Sequence, residues 1–207
     1  MGIYCDHIFP HLMDWIMRSR RYDEYRRATL AAAHGNVLEI GFGTGLNLPH
    51  YPVGIGSLTA LDSAKMLPTK VAERIAAAPF PVEFVHVNAE RLPFAESRFD
   101  CVVSTWTLCS IPNVMAALRE VRRVLKPEGQ FLFLEHGLSR DPRAVPWQHR
   151  LDPIQQVIGC GCHLNRPIDR LIEQAGLRLA DLERFWVDGS PRIVGEMYRG
   201  TATTQTR

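Results

Sequence analysis

An apolar run that ends in alternating glycines, "VLEIGFGTG" at residues 37–45, constrains the fold of this chain more than any other stretch. Near-continuous apolar residues make a strand buried on both faces. Glycine directly after such a strand lets the backbone approach a ligand with no Cβ in the way. The unit recurs, because "NVLEIG", "SLTALD", "VEFVHV", "FDCVVST" and "QFLFLEH" all read as strands. Helices are expected from near Gly45, in "SAKMLPTKVAERIAAA" and in "VMAALREVRRVLK", the last closed by the turn "PEG". Strands that alternate with helices require an α/β fold, a parallel sheet covered on both faces.

The flanks differ from this repeat. "IYCDHIFPHLMDWIMRSRR" has helical spacing, with Pro10 as a break or a helix start, and the basic "RYDEYRRATLAAA" is a second helix ended by Gly35. Residues 138–164 are rich in Pro, Gly and aromatics and show no clean period. Asn165 is expected to cap the helix "RPIDRLIEQA", which Gly176 stops. "LRLADLERFWV" and "PRIVGEMYR" read as a closing antiparallel pair, and "GTATTQTR" as a frayed tail. The expected organisation is one domain over 1–207, with a helical lid at 1–35 and a cofactor-binding half at 36–137. An insertion at 138–164 lies over the acceptor site, and a helix with closing strands occupies 165–200.

A chain of 207 residues can bury a full core for one such domain. The net charge of +2 is too small to imply a nucleic-acid partner. No apolar run approaches the ~20 residues needed to cross a bilayer, and Asp6, His7 and His11 interrupt any secretory-signal core. Cys5, Cys101, Cys109, Cys160 and Cys162 are odd in number and scattered. They read as free thiols in a reducing, cytoplasmic compartment.

The glycine spacing bears on the ligand. A dinucleotide loop, G-x-G-x-x-G, needs glycine at position 46, which is Leu46. The pattern here is E-x-G-x-G-x-G, with Glu39 inside the strand, so a nicotinamide dehydrogenase is disfavoured. A tight turn with no ligand is the alternative. Asp62 ends the second strand about 20 residues further on, where a carboxylate can accept both ribose hydroxyls or cap the next helix. Asn88, Ala89 and Glu90 can offer hydrogen bonds to an adenine edge. Met66 can pack on the adenine face or in the core.

"VLEIGFGTG", "LTALDSAKML", "NAERLPFAESRFDCVVSTWTLCSIPN" and "EVRRVLKPEGQFLFLEHG" together resemble the class I S-adenosylmethionine-dependent methyltransferases, in order and spacing over residues 36–137. The resemblance implies a Rossmann-like fold with a seven-stranded, mostly parallel sheet whose last strand is antiparallel. It implies S-adenosyl-L-methionine as cofactor and S-adenosyl-L-homocysteine as product. Gly41, Gly43 and Gly45 would line the methionine and ribose portion, and Asp62 would hold the ribose hydroxyls. Ala89 and Glu90 would border the adenine, and Thr105 would lie near the methionine end. Glu39 and Ser63 belong to the same motifs. Asn88 stands where the family usually has Asp, and its amide oxygen can still accept from the adenine amino group.

For the acceptor, "TWTLCSIPN", "EHG" and "GCHLNRP" look like a bacterial branch related to the animal membrane-associated alkyl-thiol S-methyltransferases. "GTGLNLPHYP" also resembles phosphatidylethanolamine N-methyltransferases. A small apolar thiol is the favoured acceptor. A phospholipid or amine is the second reading, and a cofactor-binding module without catalysis is the third. His163 is a candidate general base or substrate ligand, or else a helix-entry residue bonding backbone. His136, just past the fifth strand, is a second catalytic candidate or a satisfied loop histidine. Cys160, Cys162 and His163 invite a zinc reading, which the tight spacing and the metal-independent chemistry argue against. Trp106 and Trp147 can wall an acceptor pocket, and Arg150 is expected to pair with Asp152. The basic stretch "RSRRYDEYRR" is read as part of the lid, with membrane contact as the alternative.

Overall fold

A computed structural model describes residues 2–64, 67–194 and 196–204. The elements are α1 (Phe9–Met17), α2 (Arg20–Leu30), β1 (Asn36–Ile40), β2 (Ser57–Asp62), α3 (Pro68–Ala76), β3 (Val82–His86) and β4 (Phe99–Thr105). They continue with α4 (Val114–Val124), β5 (Leu125–His136), α5 (Val145–Ile158), α6 (Ile168–Gln174), β6 (Leu177–Trp186) and β7 (Glu196–Thr204). A π-helical turn (Tyr4–Ile8) precedes α1, and a 3-10 turn (Leu48–His50) follows β1.

The sheet order is β3-β2-β1-β4-β5-β7-β6. β1 through β5 pair in parallel, and β7 runs antiparallel to both β5 and β6. The strand order therefore reverses between β1 and β4, and that is where a ligand crevice opens in such sheets. Alternation within each strand builds two cores. Leu38, Ile40, Val102, Phe131 and Phe133 face Leu118 and Val121 of α4 and Ile168 and Ile172 of α6. Val37, Cys101, Val103 and Leu132 face Leu30 of α2 and Val71 of α3. α4 fits its face because Val114, Ala117, Leu118, Val121 and Val124 fall on one helical stripe. Its first turn is capped by Asn113, whose side chain accepts from the Ala116 amide at 3.1 Å.

Several sequence-based expectations change. No α-helix begins near Gly45, because Pro49 and Pro52 allow only the 3-10 turn. α3 starts at Pro68 rather than after Asp62, so Asp62 does not cap it, and Lys65 and Met66 lie outside the described residues. The aperiodic 138–164 segment contains the 14-residue helix α5, hidden from pattern reading by Pro153 in its interior. α6 begins at Ile168, because Pro167 disfavours helical geometry at the residue before it. Asn165 instead lies 3.1 Å from His149 Nδ1. The closing strand runs to Thr204, so most of the supposed tail is sheet.

Cys5 and Cys160 form a disulfide. The expectation of five free thiols is overturned, and with it the argument for a reducing compartment. Cys101, Cys109 and Cys162 are free. Among the described residues no helix is long and apolar enough to cross a membrane.

Candidate active site

The glycine loop leaves β1 at the reversal point. Gly41, Gly43 and Gly45 all have positive φ (72°, 59° and 82°), a region costly for other residues. A Cβ at Gly41 would collide with Thr107, whereas one at Gly43 would enter open space. The loop after β4 thus presses on one side of the glycine loop, and the other side is left as a cradle. Asp62 closes that cradle. Its Oδ2 accepts the Gly43 amide at 2.7 Å and its Oδ1 the Ala64 amide at 2.8 Å. Burial pushes the Asp62 carboxyl up despite those amides.

Glu39 is wholly buried beneath the loop. Its Oε2 accepts from the Tyr51 hydroxyl at 2.7 Å and its Oε1 from Asn47 Nδ2 at 2.9 Å. Asn47 Nδ2 also donates to Thr105 Oγ1 at 2.9 Å. Burial raises the Glu39 carboxyl to about 7, against the pull of the Tyr51 and Asn47 hydrogen bonds. Among the described residues, buried Asn47 Oδ1 has no partner. An unmet acceptor beside Glu39 and Thr105 fits the ammonium of a methionyl group. The lone pairs left on Asp62 fit ribose hydroxyls, and the open space at Gly43 fits the body of such a cofactor. The residues present therefore suit S-adenosylmethionine.

On the adenine side the fit is looser. Asn88 Oδ1 accepts the Glu90 amide at 2.9 Å, and Glu90 Oε1 accepts the Asn113 amide at 2.9 Å. Asn88 holds its own loop and Glu90 ties that loop to the start of α4, leaving Ala89 as a buried wall. Ser63 sits in the bend after β2.

Two N-terminal helices cover the loop. Asp14 of α1 is buried, and its Oδ1 accepts from Thr44 Oγ1 at 2.7 Å. Lys70 and Arg74 of α3 pair with the same carboxylate at 2.9 and 2.8 Å. Arg26 of α2 lies over the Trp106 ring at 4.9 Å, and Tyr22 meets that ring edge-on. Trp106 is therefore packed beneath the cover, whereas Trp147 is largely exposed and walls nothing.

Beyond β4 and β5 the expected acceptor residues converge. His163 Nδ1 lies 3.0 Å from Asp152 Oδ2. Asp152 also accepts the Leu164 amide at 2.7 Å and Gln156 Nε2 at 2.7 Å. Its desolvation is outweighed by these donors, which hold the carboxyl below the usual range. The expected Arg150–Asp152 pair does not form, because neighbours two apart on a helix face apart. Arg150 instead lies over Trp147. His136 Nε2 is 3.1 Å from Cys162 Sγ, and the His163 amide donates to Cys109 O at 2.9 Å. Glu135, fully buried, accepts from Ser104 Oγ and from the Thr107 and Leu108 amides, fixing the loop after β4. Burial raises its carboxyl to about 6. Asn47 and Glu135 carry no sequence signal of their own, although "EHG" and "GLNLP" contain them, and Asp152 was expected only as a partner of Arg150.

Residues 38–133 match the family described as "Methyltransferase domain". With the sheet order, the loop geometry and a 33% identical methyltransferase relative covered to 86% of its length, the chain belongs to the class I S-adenosylmethionine-dependent methyltransferases. Within it, the chain is 33% identical to thiol S-methyltransferase TMT1B of Rattus norvegicus, covering 93% of this chain and 86% of the relative. The Homo sapiens TMT1B is 32% identical over the same shares. Among solved structures, the Burkholderia thailandensis 1,6-didemethyltoxoflavin-N1-methyltransferase, with S-adenosylhomocysteine bound, shares the fold. Its TM-score is 0.69 at 17% identity, covering 95% of this chain and 84% of that one.

Proposed function

We propose that this methyltransferase acts on the sulfur of a small, apolar thiol. The observation that carries the reading is the Asp152–His163 pair, whose histidine directly follows Cys162 and donates its backbone amide to Cys109 O. It lies in a part of the chain where the similarity to thiol S-methyltransferases extends well past residues 38–133. S-adenosylmethionine, when bound, supplies an electrophilic methyl group on a sulfonium. Gly41, Gly43, Gly45, Asp62 and Ser63 hold the donor with Asn88, Ala89, Glu90 and Thr105, and Asn47 and Glu39 order the methionyl end. His163 takes the acceptor's thiol proton through its outward ring nitrogen, because Asp152 engages the other. Loss of that proton would leave the acceptor sulfur a lone pair able to take the methyl group that the bound donor would supply. Residues 1–35 serve as the lid that excludes water.

An apolar acceptor agrees with an apolar exterior. Ile3, Ile8 and Trp15 at the N-terminus, and Ile154, Val157 and Ile158 of α5, are all exposed. The Tyr4 hydroxyl joins the two groups by donating to Ile158 O at 2.9 Å. This face supports a peripheral position on a lipid surface, the weaker alternative on sequence alone.

Labelled S-adenosylmethionine, offered with alkyl thiols, amines and phosphatidylethanolamine vesicles, tests the acceptor. Label in thioether products is expected. Label in lipid or amine with none in thiol would overturn the reading. Co-sedimentation with the same vesicles, lost in Trp15→Glu, checks the lipid contact.

A further inference from the structure

Three side chains from separate parts of the chain meet beside the acceptor residues: Cys109 from the loop after β4, His136 from the end of β5, and Cys162 from the turn before α6. One ligand atom from each lies within 4.8 Å of the other two. They belong neither to the disulfide nor to the Asp152–His163 pair. Tetrahedral zinc, with bonds of about 2.3 Å to sulfur and about 2.05 Å to nitrogen, sets ligand atoms roughly 3.6–3.8 Å apart. The His136 Nε2–Cys162 Sγ separation of 3.1 Å is a few tenths of an ångström short of that edge. The backbone fixes the arrangement. The His163 amide holds Cys109 O at 2.9 Å, and the buried Arg166 guanidinium donates to Leu108 O and Ile111 O on either side of Cys109. Cys109 is buried, and His136 and Cys162 are partly buried.

We propose that Cys109, His136 and Cys162 form a binding site for a zinc-like divalent ion, with a fourth position open to the acceptor thiolate. Two thiolates and an imidazole are the donor set that soft divalent ions prefer. Three protein ligands with one open position are the pattern of zinc sites that bind substrate rather than brace a fold. Cys109 and Cys162 would give up their thiol protons to solvent on binding, so that the two charges of the ion balance the two thiolates, and an incoming thiol would lose its proton as its sulfur joins the ion. The tight "CGCH" run expected to be a poor zinc motif contributes one ligand only. Its partners come from two other segments that no local spacing reveals.

This role for the ion rests on the thiol reading, and the experiment separates the two. The full chain, prepared under argon without chelator or thiol reductant, is titrated with Co2+ as the optical probe. Uptake of one equivalent is expected, with thiolate-to-cobalt charge-transfer absorption and the intense visible bands of tetrahedral geometry. Zn2+ should displace it. Cys162→Ala and His136→Ala should lose the bands, while Cys101→Ser and the Cys5→Ala/Cys160→Ala pair keep them. Circular dichroism verifies that each variant is folded, and part-buried Cys162 provides a second reading if the Cys109→Ala variant does not fold. Absence of stoichiometric uptake, bands that survive Cys162→Ala, or a Cys109–Cys162 disulfide in the isolated protein would each overturn the site. Thiol methylation undiminished in metal-free protein would overturn the ion's role and leave the thiol reading intact. Metal uptake with no thiol methylated would overturn the thiol reading and leave the site.

Discussion

Asp14 in the first helix accepts a hydrogen bond from the Thr44 hydroxyl in the glycine loop at 2.7 Å. A buried carboxylate thereby fastens the cover to the loop it covers, with Lys70 and Arg74 neutralising it. Asp14→Asn preserves the shape but strands those two cations, and should cost about 1–3 kcal/mol in urea unfolding. It should also weaken S-adenosylhomocysteine binding severalfold by calorimetry. Burial alone would raise the Asp14 carboxyl, but Arg74, Thr44 and Lys70 hold it far below the usual range. A depressed folded value gives stability that is full above the unfolded value of about 3.9 and is lost as pH falls below it. The wild type should therefore lose stability more steeply than Asp14→Asn in that acid range.

Glu39 titrates in the opposite sense. Burial lifts it to about 7 in the folded protein. Against an unfolded value of about 4.3, its contribution is full below that pH and is lost as pH rises through 7, on the order of 3 kcal/mol. Urea midpoints measured from about pH 5 to about pH 8 should fall for the wild type and flatten in Glu39→Gln. Glu135, raised to about 6, and Asp62, also raised by burial, contribute to the slope that remains.

His163→Ala should lower kcat by roughly 10²-fold or more, the size of a lost general base. Affinity for S-adenosylhomocysteine should not change, because among the described residues the hydrogen bond of this ring goes to Asp152 and not to the glycine loop or Asp62. Asp152→Asn should show a smaller kcat loss in the same assay. An unchanged rate in both variants returns the pair to a structural role.

Opening the Cys5–Cys160 bond removes a cross-link that spans 155 residues. The expected loss is about 2–4 kcal/mol. Limited proteolysis should then cut within the first 30 residues before it reaches the sheet. Non-reducing peptide mapping checks the pairing itself, and two unlinked peptides would contradict it.

The parallel strands were legible because each apolar run is bounded by turn chemistry, and β2 and β4 fall at the expected residues. The position of Asp62 at the end of the second strand was likewise legible, but its bond to the Gly43 amide was not among the expectations, which gave it to ribose or to a helix cap. α5 was not, because Pro153 masks its period. Asp14 meeting Thr44, Cys5 meeting Cys160, and Cys109 meeting His136 and Cys162 depend on how finished layers pack. No window of neighbouring residues encodes them.

The disulfide also closes residues 5–160 into a covalent loop, and Cys162 and His163 stand just outside it. Gly161, at φ 99°, is the one residue between Cys160 and Cys162. The N-terminal arm is thus tied to Thr44 at Asp14 and, through Cys5, to the acceptor side chains across a single flexible link. One covalent span therefore touches both the glycine loop, at Thr44, and the segment that carries Cys162 and His163.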